Sequence, residues 1–316
     1  MQRIALLFLS LLAFAMPATA QTTRDWLTSL PRETIAVKAW PGGKKVAICF
    51  IFHAEVWGEG HGPNTRNDTV SRKPDIVNDS WRQYAIDLGL ARGANLFKEQ
   101  GVPVTISMNA LFPETYPKVW QTLRGIQPKA PIIAHGVNNT TQLLPLAAGL
   151  EAQRAYIRQS FDMIEKATGT RPRGWSSPNV EGNAETFSAA SAEGAKYTLD
   201  AMDSDFMSAL ATPSGKLWLI PYPVQTVDMG QFLARLKEST DLEKYWIDYV
   251  SELAREAAAD PDRAPTIAAI GLHPFIIGTP AGAASFRRVL EALKKQPLVW
   301  LTDVETALTA AGQKLN

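Results

Sequence analysis

Histidines are the residues best suited to chemistry in this chain, and three of the four follow short apolar runs. His53, His135 and His273 stand in the segments CFIFHAE, IIAHG and IGLHP. In a parallel α/β barrel the carboxyl ends of the strands share one face, where active sites are built. We therefore expect these three imidazoles on that face, whereas His61 lies in a polar loop and is expected to be solvated.

Carboxylates accompany these histidines. Glu55 follows His53 by two residues, so both side chains point the same way if the strand continues. Asp200 follows the run KYTL, where ordinary loop capping is the alternative role. Carboxylates near the same face as the imidazoles strengthen the expectation that the site lies at this end of the strands.

Composition excludes several kinds of protein and site. The chain has 32 Lys+Arg against 31 Asp+Glu, which gives no charge imbalance for nucleic acid or a membrane surface. Cys49, inside the run VAICFIF, is the only cysteine, so an intrachain disulfide and a thiolate-rich zinc site are both excluded. We expect Cys49 to be a small buried hydrophobe, a nucleophile being the weaker interpretation. Any metal must use imidazole, carboxylate or amide ligands.

The order of the elements indicates the fold class. Short apolar runs alternate with amphipathic stretches, which predicts βα units and a largely parallel sheet. About eight such units favour a closed barrel, with an open doubly wound sheet as the alternative because periodicity counts strands poorly. The apolar runs lie at 46–52, 103–107, 131–134, 172–176, 197–200, 217–220, 267–272 and 298–301.

The 316-residue chain divides into three parts. Residues 1–20 have a basic start, an apolar middle and a small-residue end, Ala18-Thr19-Ala20, which predicts a signal peptide cleaved after Ala20. A retained anchor is the alternative; cleavage implies a secreted or periplasmic protein without a stable membrane span. We assign 21–39 as an N-terminal extension and 40–316 as one barrel domain. The long polar loop 57–80 is expected to cross the mouth of the barrel.

Several segments, taken in order, resemble the polysaccharide deacetylase (NodB homology) superfamily of carbohydrate esterases. Within it they look most like the branch of metal-independent allantoinases and related peptidoglycan deacetylases. The resemblance implies a distorted (β/α)7 barrel, in agreement with the alternation of elements. It rests on the segments WPGGKKVAICFIFHAE, RKPDIVNDSWRQYAIDLGLARG, GVPVTISMNA, IIAHGVNN, GTRPRGWSSPN, KYTLDAMDSD, LIPYPVQTVD and IGLHPFIIGTPA.

The same resemblance implies roles for four residues. Glu55 matches the acidic residue of the allantoinase-like branch and would act as base toward water. His135 would hold the carbonyl oxygen or a metal, and His273 would protonate the departing nitrogen. Arg173, followed by Pro178, matches the Arg motif of the family. All four are expected to converge with His53 on one concave site.

A departure from the family pattern concerns metal. Asn139 stands where the second metal-binding histidine of the family stands, and an amide oxygen binds zinc poorly. Either His53, Glu55 and His135 hold a divalent ion, zinc above all, or no metal is bound. Asn139 favours substoichiometric metal and an activity that survives chelation. Glu55 would then need a pKa raised by burial.

These expectations lead to an exported hydrolase of non-peptide carbon–nitrogen bonds that deacetylates an N-acetylated glycan. The alternatives are a cyclic-amide, allantoinase-like hydrolase of a small substrate and a catalytically inactive glycan-binding protein on the same fold. The aromatic residues Trp57, Trp81, Trp175 and Tyr222 could stack on sugars, with core packing as the alternative for Trp81 and Trp175. The residues assigned to substrate binding are Asn139, Trp175, Asp200 and Tyr222.

Overall fold

The computed structural model describes residues 29–140 and 149–315. The proposed signal peptide, residues 1–20, lies outside this part of the chain. Within the described ranges, none of the helices combines the length and the apolarity that crossing a membrane requires.

Seven parallel strands form the wall of a barrel. Their spatial order, β9-β2-β3-β4-β5-β6-β8, follows the chain except at one junction and shows none of the reversal of a doubly wound sheet. The ten strands of the described residues are β1 Arg32–Thr34, β2 Val46–Ala54, β3 Thr105–Met108, β4 Ile132–Ala134, β5 Gly174–Trp175, β6 Tyr197–Thr198, β7 Ser208–Thr212, β8 Gly215–Leu219, β9 Thr266–Leu272 and β10 Val299–Thr302.

Strand β2 is the central element of this wall. One edge pairs with β9 along residues 46–52. The opposite edge of β2 is shared by two strands. Residues 46–49 of β2 pair with β10, and residues 51–54 pair with β3. All nine residues of β2 are buried, Cys49 completely, as expected for a strand covered on both faces.

The sheet does not close with a full ladder between β8 and β9. Isolated hydrogen bonds join the two sides instead: the Ala269 amide donates to the Pro221 carbonyl at 2.8 Å, the Ile267 amide to the Asp205 carbonyl at 3.0 Å, and the Thr226 hydroxyl to the Ala269 carbonyl at 3.0 Å. The ring of Tyr222 packs on Gly271 of β9, where a Cβ atom would lie 2.0 Å from the Tyr222 hydroxyl. This gap is the distortion of the barrel, and the predicted distorted (β/α)7 fold is confirmed.

Helices follow the strands and cover the outside of the barrel. The first two are joined through a π-helical turn, Ala85–Gly89, and left-handed glycines, Gly101 (φ 63°) and Gly169 (φ 73°), end α2 and α5. The helices are α1 Ile76–Tyr84, α2 Leu90–Gln100, α3 Phe112–Thr115, α4 Pro117–Ile126, α5 Leu150–Thr168, α6 Ala184–Ala192, α7 Ser239–Ala259, α8 Pro274–Ile277, α9 Pro280–Lys294 and α10 Val304–Ala310.

Part of the N-terminal extension belongs to the sheet. Residues 32–34 form β1, which pairs antiparallel with 208–210 of β7, and β7 forms a hairpin with β8. The extension therefore continues the sheet beyond β8 on the side opposite β6.

Candidate active site

Every strand of the barrel wall ends in polar groups at its carboxyl end, because the chain leaves the apolar core there. Successive strands thereby place side chains from distant parts of the sequence around one mouth. These groups are His53 on β2, Glu55 directly after β2, Asn109 after β3, His135 after β4, Ser176 and Ser177 after β5, Asp200 after β6, Tyr222 after β8 and His273 after β9.

Glu55 lies at the centre of three imidazoles. Its Oε1 atom is 3.3 Å from Nδ1 of His53, 3.4 Å from Nε2 of His135 and 3.6 Å from Nε2 of His273. The rings of His53 and His273 are stacked, with centroids 4.2 Å apart. None of the four residues is more than 6% exposed. The structure thus brings together four of the five residues that were predicted to converge.

His273 is held by a buried carboxylate that the sequence analysis did not select. Asp228 accepts a hydrogen bond from Nδ1 of His273 at 2.6 Å and another from the His273 amide at 2.7 Å. Burial lowers the pKa of His273, but the charges of Asp228 and Glu55 outweigh it and raise that pKa to about 10. His273 is therefore an imidazolium at neutral pH, with one N–H directed at Glu55.

Glu55 is ionised, contrary to our expectation of a raised pKa. Burial raises the pKa of Glu55, but the charge of His273 and the contacts of the carboxylate with the three imidazoles lower it by more, to well below the usual value. The expectation considered burial alone and was wrong because it left out the cationic neighbour. Conversely, burial and the charge of His273 lower the pKa of His53 to about 3, so His53 is neutral.

The tautomer of His135 is fixed by the backbone. Its Nδ1 atom lies 2.9 Å from the Ser176 carbonyl oxygen, which can only accept, so Nδ1 carries a proton. In the neutral ring, Nε2 then presents a lone pair to Oε1 of Glu55 at 3.4 Å. Two acceptors face each other there, and either a second proton or a metal ion must lie between them.

The same atoms fit a divalent metal. His53, Glu55 and His135 each offer a ligand atom, and these atoms all lie within 4.8 Å of one another. Bonds of 2.0–2.2 Å in a tetrahedral zinc site place ligands about 3.3–3.6 Å apart, close to the 3.3 and 3.4 Å found here. Nδ1 of His53 is buried without a hydrogen bond of good geometry. The His135–carbonyl contact is also the usual support of a metal-binding histidine.

Asn139 has a structural hydrogen bond rather than an open amide oxygen. Its Oδ1 atom accepts from Nδ2 of Asn109 at 3.0 Å, and Asn109 also binds the His135 carbonyl and the Val56 amide. Asn109 therefore connects the ends of β2, β3 and β4. The sequence analysis missed it, since one amide after an apolar run carries no distinctive signal.

The remaining substrate-binding predictions have different outcomes. Asp200 is partly exposed, and its carboxylate accepts from the Ser177 amide and hydroxyl at 2.8 and 2.7 Å. Tyr222 is buried with its hydroxyl 3.1 Å from Nε2 of His53. Trp175 is 0% exposed and packs in the core against Tyr156. The prediction that Trp175 contacts substrate is contradicted, because no face of its indole reaches solvent.

Arg173 lies at the other end of the barrel. It immediately precedes β5, whereas His135 immediately follows β4, the parallel neighbour of β5. Its guanidinium contacts Glu305 at 3.3 Å, beside Pro131, which precedes β4. The prediction that Arg173 converges on the site is wrong, because the apolar run was assigned without knowing at which end of the strand Arg173 would stand.

A cavity of about 230 Å³ opens beside Glu55. The loop 57–80 supplies Trp57, Gly58, Glu59 and Asp79 to its wall, so the prediction that this loop covers part of the site is confirmed. His61 is exposed, as expected. Trp81 packs on Phe275, with ring centroids 4.7 Å apart, and does not line the cavity.

No protein-family model matches the chain. A Schizosaccharomyces pombe protein named as an inferred polysaccharide deacetylase is 23% identical over 92% of this chain and 98% of its own. The structure of a "probable polysaccharide deacetylase" from Pseudomonas aeruginosa PAO1 superposes with a TM-score of 0.73, at 23% identity, over 87% of this chain and 92% of that one. The structure of PuuE allantoinase superposes with a TM-score of 0.74, at 25% identity, over 89% and 96%.

The chain resembles polysaccharide deacetylases and an allantoinase. The resemblance inferred from the sequence is thereby confirmed, and it extends over nearly the whole described chain. The structural likenesses also support the barrel fold.

Proposed function

We propose that the protein hydrolyses non-peptide carbon–nitrogen bonds and that its substrate is an N-acetylated glycan. One observation carries the proposal: an ionised carboxylate, Glu55, and a protonated imidazole, His273, face each other with 3.6 Å between Oε1 and Nε2. A base and an acid held together in opposite protonation states are what amide hydrolysis needs. The similarity to named deacetylases supports the glycan as substrate.

Each residue has a definite part in the reaction. Glu55 takes a proton from water as the water oxygen attacks the amide carbon. The C–N bond then breaks, and His273 gives its Nε2 proton to the departing nitrogen, so that an amide and water yield acetate and a free amine. Asp228 keeps His273 protonated and oriented. Burial of the cluster excludes bulk water and strengthens these charge interactions.

As an alternative to the metal-free reaction described above, we propose that the cluster holds one divalent metal with His53, Glu55 and His135 as ligands, in which case Glu55 is a ligand and not the free base. Asn139 weakens a metal site only if no other imidazole can take the place of the missing histidine. His53 lies beside His135, with ring centroids 5.1 Å apart, so it can replace the missing ligand. Two imidazoles and a carboxylate form an established zinc ligand set. When bound, the ion would supply Lewis-acid polarisation of the carbonyl.

The test measures acetate release from N-acetylglucosamine oligomers by the purified mature chain. We expect turnover in the wild type and almost none in Glu55→Gln or His273→Gln. Glu305→Gln, which alters an acid at the opposite end of the barrel, is the matched control. Absence of acetate from every N-acetylated glycan tried would refute the glycan substrate.

The likeness to PuuE allantoinase, at 25% identity, favours a second candidate, a hydrolase of small cyclic amides. The same base and acid would serve this reaction. Hydrolysis of allantoin without acetate release from glycans would select it. A catalytically inactive glycan-binding protein is less consistent with the site, because binding alone needs no facing acid and base.

We propose a periplasmic or secreted location, supported by the signal-peptide pattern of residues 1–20. Detection of a mature N-terminus at Gln21 in the exported fraction would support it. Retention of the full chain inside the cell would contradict it.

A further inference from the structure

We propose that the cavity beside Glu55 is a subsite for one neutral or cationic sugar ring, and that it rejects rings carrying a carboxylate or phosphate. This inference rests on the proposed glycan substrate and defines its class. The preferred glycan would be a chain of plain or partly deacetylated amino sugars rather than an acid-substituted one.

The size and place of the cavity fit a ring next to the reacting amide. Glu55 forms part of its wall, so a group bound there is adjacent to the catalytic carboxylate. The volume of about 230 Å³ is below the roughly 300–1,000 Å³ of pockets for drug-sized ligands. A single ring is therefore the appropriate occupant.

Two aromatic side chains line this cavity and are held in place. Trp57 donates from Nε1 to Oε2 of Glu55 at 3.2 Å. Its ring packs against Gly62, where a Cβ atom would lie 2.5 Å away. Tyr116 packs on Phe112, with ring centroids 5.4 Å apart. Rigid aromatic surfaces provide contact area for the apolar faces of a sugar at little entropic cost.

The polar lining of the cavity is acidic and consists mainly of acceptors. Glu55, Glu59 and Asp79 contribute carboxylates, against one guanidinium from Arg82. That guanidinium already donates to the Pro63 carbonyl at 2.7 Å and also to Asn64 and Asp79. The donors and the charge of the Arg82 guanidinium are therefore already occupied by contacts with the loop 57–80.

One acceptor in the wall has no donor among the described residues. Oδ2 of Asp79 is buried without a hydrogen-bond partner. Solvent does not reach this atom from the cavity, so it adds to the negative charge of the wall without itself contacting a ligand. A ligand carboxylate or phosphate would meet the carboxylate of Glu59 together with those of Glu55 and Asp79, whose charges His273 and Arg82 partly offset, so the wall remains net negative and disfavours an anion.

The experiment compares three substrates: a neutral N-acetylglucosamine oligomer, the same oligomer with one ammonium-bearing ring, and one with a lactyl ether carboxylate. For the wild type we expect kcat/KM at least about tenfold lower for the carboxylated oligomer. Glu59→Gln and Asp79→Asn should each reduce this discrimination about threefold or more. Asp68→Asn is the matched control, since Asp68 is an exposed acid of the same loop outside the cavity.

Equal kcat/KM for the carboxylated and the neutral oligomer in the wild type would overturn the proposed subsite. So would a ratio of these two values that stays unchanged in both Glu59→Gln and Asp79→Asn. Calorimetric titration with the same three oligomers gives a second readout that requires no turnover. If no oligomer is hydrolysed but the binding preference is present, the proposed catalysis fails and the subsite stands. If hydrolysis occurs without charge preference, the subsite alone fails. Glu59 is exposed, so Glu59→Gln remains informative even if Asp79→Asn does not fold.

Discussion

At the carboxyl end of the barrel, His273 and Asp228 form an ion pair that water does not reach, whereas at the amino end Arg173 and Glu305 form one in contact with solvent. The first pair is 2.6 Å apart with side chains 2% and 0% exposed. The second is 3.3 Å apart with side chains 43% and 21% exposed. Burial strengthens charge interactions and shifts pKa values, so only the first pair can sustain an unusual protonation state.

The difference shows that strand direction decides which charges become functional. His273 follows β9 and Arg173 precedes β5, yet both stand beside apolar runs in the sequence. A group that follows a parallel strand enters the polar mouth. A group that precedes one enters the opposite end, where α10 and β10 supply its partners.

Removal of the central carboxylate should have the largest effect on the carboxyl end. Glu55→Gln keeps the shape of the side chain but cannot take a proton from water, so we expect kcat/KM to fall by about 10²–10⁴-fold. Acetate release gives the rate, and a thermal unfolding curve establishes that the variant is folded. Substantial turnover in folded Glu55→Gln would show that another group is the base.

Asp228→Asn should act through the protonation of His273. The Asp228 carboxylate stabilises the imidazolium, so its removal lowers the pKa of His273 from about 10. The acid form is then lost at lower pH, and the alkaline limb of the kcat/KM profile moves toward neutrality. At pH 8 we expect a loss of about 10²-fold, smaller at pH 6. A uniform loss at all pH values would indicate a purely structural role. Glu305→Gln should leave the profile unchanged.

The fold and half of the candidate site were predictable from sequence, for the same physical reason. Apolar runs that end in His or Glu mark strand ends, which identified His53, Glu55, His135 and His273. Asp228 could not be found this way, because it lies in a connection beyond β8 and reaches His273 only through the tertiary fold.

The protonation states could not be read from sequence either. The pKa of Glu55 depends on three imidazoles that come from three strands, so its direction follows from distances rather than from local residues. Trp175 illustrates a second limit of the sequence pattern, which concerns the direction of a side chain. An aromatic residue near a strand end can point into the core as readily as into the mouth.

Tyr222→Phe tests the metal proposal without relying on turnover. The Tyr222 hydroxyl lies 3.1 Å from Nε2 of His53 and thereby supports the ring whose Nδ1 faces Glu55. Loss of such a partner typically costs about 10–100-fold in metal affinity. Competition of added zinc with a chelator measures it. Tyr249→Phe is the control, because the Tyr249 hydroxyl is buried without a hydrogen bond. Unchanged affinity in Tyr222→Phe, or no tight zinc binding by the wild type, would contradict the proposal.

Arg173→Gln should have the smallest effect and gives the sharpest test of the opposite end. A half-exposed pair contributes about 1 kcal/mol or less to the free energy of unfolding. We therefore expect a small loss of stability at pH 7 and unchanged kcat/KM. Burial raises the pKa of Glu305, and Arg173 opposes this rise. Without Arg173 the pKa of Glu305 rises further, so ionising Glu305 costs the folded state more free energy.

That cost depends on pH in a definite direction. A carboxyl whose folded pKa is raised destabilises the fold above its unfolded pKa, and fully so above its folded pKa. The loss of stability in Arg173→Gln should therefore be present at neutral pH, decrease as the pH falls through the folded pKa of Glu305, and be absent below the unfolded pKa of about 4.3. Denaturant unfolding at pH 7 and pH 4 measures the difference. A large loss of kcat/KM in a stable Arg173→Gln protein would instead return Arg173 to the catalytic site and abolish the distinction between the two ends.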